Sequence, residues 1–77
     1  MERAYKSCRI QTSHRLNVEN DCWAPHADIS WDEAGIERRH SLVGPSDRFK
    51  LIDHAEIYAI EMAITWIDDE SFSNLTP

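Results

Sequence analysis

The run Ile52 to Glu70, IDHAEIYAIEMAITWIDDE, constrains the chain most: it has no glycine or proline, and its apolar residues recur at helical spacing. It reads as one long helix. At about 100° per residue, Ala55, Tyr58, Ala59, Met62, Ala63 and Trp66 gather in one sector, the expected sheet-facing side. Ile57, Ile60, Ile64 and Ile67 recur at intervals of three, four and three residues and form a second stripe on the far side, bordered by His54, Glu61, Thr65 and Asp68. Burying each isoleucine is worth roughly 1.5 to 3 kcal/mol, a large amount for a small domain whose whole stability is on the order of 5 kcal/mol. The stripe therefore requires a cover. A second copy, another protein, the Phe72 and Leu75 tail or the 44–52 loop could supply one. Seam-like spacing and the prevalence of two-fold dimers make the second copy the expectation, with Ile57, Ile60, Ile64 and Ile67 as its interface.

Asp53 is expected to start this helix as its cap, with Glu56 completing a capping box and Ile52 and Ile57 forming a hydrophobic staple. Ahead of it the pattern changes period. YKSCRIQT (Tyr5 to Thr12) alternates around Cys8 and Ile10 as a first strand, and SHRLNVEND follows as a loop. In CWAPHADISWD, Trp23, Ala27, Ile29 and Trp31 share one parity while Ala24, His26, Asp28 and Ser30 share the other, which gives one apolar and one wet face. Pro25 lies on the apolar parity and has no N–H, so it belongs near a strand start, at a bulge, or where its nitrogen faces no partner, and regular pairing is expected to begin after it. DEAG turns the chain, and IERRHSLV (Ile36 to Val43) returns as a third strand. Setting Ile36 opposite Trp31 places Arg38 by Ile29, His40 by Ala27 and Leu42 near Pro25, with Asp28 meeting Arg39 outside. In that register Arg38 and His40 face inward, so their polar ends must reach the sheet edge or a partner. Phe49 should pin the following loop to the core.

These elements make an α+β fold: a three-stranded antiparallel sheet packed by one long C-terminal helix, in β-β-β-α order. At 77 residues the chain is one domain, with an ordered core over about 4–69 and a tail over 70–77. The content of 42% hydrophobic residues and three tryptophans excludes a disordered chain. A formal net charge of −6 repels phosphate backbones and anionic lipid. No apolar run resembles a signal peptide or a membrane span, so a cytoplasmic address and no membrane partner are expected. Cys8 and Cys22 are expected as free thiols, and the Asn74 to Thr76 sequon carries no weight without a secretory signal.

The stretches AYKSCRI, WAPHADISW and AEIYAIEMAITWID together resemble small bacterial proteins of unknown function with β-β-β-α order, a Y-K-G-Y-x-I start and a helix of the E-A…A…W/I-I-D kind. The resemblance covers roughly residues 4 to 69. Tyr5, Lys6, Ile10, Ala55, Trp66, Ile67 and Asp68 are the matching positions, whereas Ser7 stands where glycine is common and Cys8 where an aromatic is. It implies the fold and brings no active site. Those proteins are more polar where Ile57 and Ile64 stand, which would make the stripe particular to this chain.

Catalytic chemistry finds no frame. Cys8, His14, Cys22 and His26 are the one metal set on neighbouring strands, but the paired ligand spacing of zinc sites is missing. Serine, histidine and aspartate are present without a nucleophile motif. Asp68, Asp69 and Glu70 form an acidic helix end that reads as solvated surface. Neither a cofactor nor a metal is expected, and no residue is assigned as catalytic. Arg38, Arg39, His40, Arg48 and Lys50 form the local basic group a nucleic-acid-associated or regulatory protein would use, yet Asp28, Asp32, Glu33 and Glu37 share the hairpin and would face the phosphates. The expected function is a small protein-interaction module, self-associating or bound to another protein.

Overall fold

The computed structural model describes residues 2–69. The expected tail over 70–77, with Phe72, Leu75 and the sequon, lies outside the described residues, as does Glu70. The chain forms β1 (Glu2–Tyr5), β2 (Cys8–Asn17), β3 (Cys22–Glu33), β4 (Ile36–Val43) and α1 (Ile52–Asp69). The sheet is antiparallel, in the order β1-β2-β3-β4, with α1 on one face. The α+β class and the C-terminal helix thus stand, but the sheet has four strands where three were expected.

The extra strand comes from the first segment, which is a hairpin rather than one strand. Tyr5 pairs with Cys8, leaving Lys6 and Ser7 as a two-residue turn with φ of 47° and 65°. Positive φ at both positions is the type I′ geometry, whose twist matches that of the flanking strands. Neither residue is glycine, so the turn is silent in composition. Beyond it β2 runs past Thr12 to Asn17 and takes in most of the expected loop, because His14 and Leu16 continue the inward parity opposite Pro25 and Trp23.

A second two-residue turn corrects the register of the next hairpin. Ala34 (φ 53°) and Gly35 (φ 80°) alone connect β3 to β4, so Asp32 and Glu33 remain in the strand. Glu33 then faces Ile36, Trp31 faces Arg38, Ile29 faces His40 and Ala27 faces Leu42. The pairing is displaced by two residues from the expected one. A shift of two preserves the face of every side chain, so the inward parity of both strands was right. Arg38 solves its inward placement by reaching Glu33 (3.5 Å), and His40 by stacking on Trp66 at 4.4 Å between centroids and 10° between planes.

Pro25 sits inside β3, whose pairing with β2 starts at Cys22 and not after the proline as expected, at a point where β4 has run out. The Trp23 N–H on that side bonds the Phe49 carbonyl (2.6 Å), and the Pro25 carbonyl accepts from the Gly44 N–H (2.9 Å). The imide nitrogen therefore faces the departing chain instead of a ladder partner. Phe49 bridges back to Trp23 and packs on Tyr58, as its expected pinning role requires. Gly44 threads between Pro25 and Tyr58, where a β-carbon would lie 2.6 Å from Pro25 Cγ and 3.0 Å from Tyr58 Cε1.

The helix begins at Ile52, with the Ala55 N–H bonded to the Leu51 carbonyl (3.2 Å). Asp53 thus lies inside the first turn, where its charge suits the dipole, and is not the cap. Glu56 turns to the sheet and the staple is absent, since Ile57 is 53% exposed. Ile10, Ala27 and Ile29 of the sheet and Ala59, Ile60, Ala63 and Ile67 of the helix form the core. Small alanines at the centre let the helix settle closely over β2 and β3.

Two substitutions test this account by urea unfolding. Ala34→Asn should stabilise by about 0.5 to 1 kcal/mol, because asparagine tolerates the left-handed conformation better than alanine. Gly44→Ala should destabilise by about 1 to 3 kcal/mol through crowding of Pro25 and Tyr58.

Candidate interaction surface

The four isoleucines of the expected interface do not share one environment. Ile67 is fully buried and Ile60 is 6% exposed, both beneath their own sheet, and Ile64 is half-buried against the same core. Ile57 alone stands in solvent. A solvent-directed seam of all four residues is therefore absent, and the reason is helix rotation. The centre of the buried sector runs along Ala55, Ala59 and Ala63, so the stripe of Ile60 and Ile67 flanks it on one side and Met62 and Trp66 on the other.

Contacts along the sheet-facing sector fix that rotation. On one side Glu56 accepts a hydrogen bond from the buried Thr12 hydroxyl (3.1 Å) and lies 4.0 Å from His14 Nδ1, which ties it to β2. On the other, Tyr58 meets Phe49 and Trp66 meets Trp31 and His40. The residue line Asp53, Ile57, Glu61, Ile64 and Asp68 falls outside these contacts. It occupies a sector of roughly 80° at 100° per residue and forms, with exposed His54 and Thr65 beside it, the outer face of α1.

At its C-terminal end that face is locked to the first hairpin. Lys6 Nζ lies 2.8 Å from Asp68 Oδ1, and the Tyr5 hydroxyl donates to Asp68 Oδ1 and Oδ2 at 3.0 and 3.2 Å. The lysine and tyrosine hydrogen bonds hold the Asp68 carboxyl below its ordinary pKa, and the Asp68 hydrogen bond raises those of Lys6 and Tyr5. An aspartate at a helix C-terminus opposes the dipole, and the lysine offsets it.

The other candidate groups disperse. Cys8 and His14 lie on the helix side of the sheet, whereas Cys22 and His26 carry the opposite parity, and no metal-binding group of three or more His, Cys, Asp or Glu occurs among the described residues. Both thiols are free and buried, and burial pushes that of Cys8 up. The basic group divides as well. Arg39 pairs with Glu37 (3.1 Å), Arg38 with Glu33, and Lys50 with the Asn20 carbonyl (2.9 Å), so acids lie beside both strand arginines.

Sequence reasoning missed a polar line on the open sheet face, although the parity of the strands could have found it. The Ser13 hydroxyl lies 3.2 Å from His26 Nδ1, His26 Nε2 lies 3.5 Å from Asp28, and Ser41 donates to Asp28 at 2.6 Å. The residues are those of a hydrolytic relay. The His26 and Asp28 side chains are 36% and 51% exposed, however, so water competes for every contact and nothing shields a reacting centre. Nearby cavities of about 320 and 270 Å³ are shallow grooves that share Arg9, Ser30 and Glu37.

The chain matches no family model, no curated protein and no solved structure. No helix among the described residues is long and apolar enough to cross a membrane.

The Asp68 contact carries a pH signature. Its depressed carboxyl contributes stability that is present above the ordinary aspartate value of 3.8 and is lost as pH falls through the lower folded value. Wild type and Asp68→Asn should therefore differ in urea midpoint at neutral pH and converge in acid. Urea titrations of both proteins across pH 2 to 7 check this.

Proposed function

We propose that the chain is a protein-interaction module without catalytic chemistry of its own, and that its contact surface centres on the outer face of α1. One observation carries this reading: Ile57, 53% exposed, stands in the middle of a helix whose other isoleucines are wholly or partly buried. A large aliphatic side chain on the outside of a well-packed helix adds little to folding, and its burial by a partner would add roughly 1.5 to 3 kcal/mol to binding.

Self-association through Ile57, Ile60, Ile64 and Ile67 narrows to Ile57 with Ile64 beside it, because the other two already serve the core. A second copy would also bring its own Asp53 and Glu61 to that contact, and like charges oppose it. A different protein is the better partner. Nucleic acid finds less support: Trp31, Trp66, Phe49 and Tyr58 pack on the helix side, which leaves the open face with no stacking platform among the described residues, and its Arg9 and Arg39 sit beside Glu2 and Glu37. The cytoplasm remains the proposed address.

The chain is expected to sediment as a monomer at micromolar concentration in low salt. Native mass spectrometry of protein purified from its own host should show a stoichiometric protein partner that Ile57→Asp loses and Val43→Asp, exposed on the open sheet face, retains. A partner equally retained by Ile57→Asp, or none, ends this reading.

A further inference from the structure

We propose that the partner of this face is a cationic amphipathic helix, with lysine or arginine alternating with aliphatic side chains, contributed by another protein. This rests on the interaction-module reading and adds the chemistry of the partner.

The charge of the molecule is divided by layer. All eight lysines and arginines lie at or before Lys50, where carboxylates match them in number. The acids from Asp53 onward, namely Asp53, Glu56, Glu61, Asp68, Asp69 and Glu70, account for the entire net charge of −6. The sheet and its loops are thus neutral overall, and α1 carries one sign only. Of its carboxylates Glu56 is turned inward to Thr12, and Asp53, Glu61, Asp68 and Asp69 are exposed, with Asp68 held by Lys6.

Along the outer face these acids do not stand apart from the apolar residues. The order is Asp53, Ile57, Glu61, Ile64, Asp68, an alternation of acid and isoleucine over about 22 Å at 1.5 Å per residue. A complementary surface must be as long and must alternate cations with aliphatic groups in the same line. Backbone groups inside α1 are committed to helical hydrogen bonds, so strand addition is not open to a partner here, whereas helix-on-helix packing is. The sign of the charge argues against anionic membranes and nucleic acids, and against a second copy presenting the same face. Lys6 already pairs with Asp68, so Asp53 and Glu61 are the carboxylates this line offers to a partner's cations.

The probe is a fluorescently labelled synthetic peptide that forms a lysine-leucine amphipathic helix, with a scrambled peptide of the same composition as control, read by anisotropy at low and moderate salt. Wild type should bind the amphipathic peptide at least tenfold more tightly than the scrambled one, and more weakly as salt rises. Ile57→Ser and Glu61→Lys, both at exposed positions and checked for folding by circular dichroism, should each weaken binding at least tenfold. Asp32→Lys on the open sheet face should leave it within twofold. Equal binding of the scrambled peptide, or equal weakening by Asp32→Lys, would mean diffuse charge attraction and overturn the proposal. Binding that survives Ile57→Ser overturns it as well. A wild type that ignores the peptide yet keeps an Ile57-dependent partner in native mass spectrometry removes the cationic helix and leaves the interaction module standing.

Discussion

Everything in this fold depends on how closely one helix can settle onto the two middle strands. Ala55, Ala59 and Ala63 put almost no side chain between the helix backbone and the sheet, so Ile10, Ala27 and Ile29 can fill the contact. That choice sets the rotation of α1. With the alanines central, the isoleucines on one flank and the tryptophan and methionine on the other both reach the sheet, and a helix that looks two-sided in sequence is served by a single layer. The outer face is what remains after both flanks have been used.

Rotation in turn decides which polar groups become structural. Glu56 falls over Thr12 and His14, and Asp68 meets the turn that joins the first two strands. On the β4 side the helix stops short, and His40 completes the cover by lying flat on Trp66. A charged or aromatic residue at each border thus takes the place that further aliphatic packing would occupy in a larger domain.

Much of this was legible from residues. The helix, the strand around Trp23 to Trp31, the inward parity of β3 and β4, the unpartnered side of Pro25 and the role of Phe49 all follow from period and from missing donors, whereas the pairing ahead of Pro25 does not. One turn was not legible and the DEAG turn was drawn two residues too long, for one physical reason: Lys6, Ser7 and Ala34 adopt positive φ without being glycine. Composition signals a turn through residues that enter that region cheaply, so a turn built from others is invisible and its neighbours are misassigned. The environment of the isoleucines was hidden for a different reason. Spacing reveals which residues share a side of a helix, but the angle at which that side meets the sheet is set by the relative size of everything on it, and alanine weighs little on a hydrophobicity scale while permitting the closest approach.

The meander itself has a kinetic consequence. Because strands are ordered in the sheet as they are in the chain, each ladder joins segments separated by a short turn, and little loop entropy is lost as hairpins zip. Docking the helix is different, since contacts such as Tyr5 with Asp68 close nearly the whole polypeptide. The rate-limiting search should thus be the arrival of the helix on a sheet that is already partly formed, and until it arrives the inner surfaces of the central strands stand open to other chains emerging beside them.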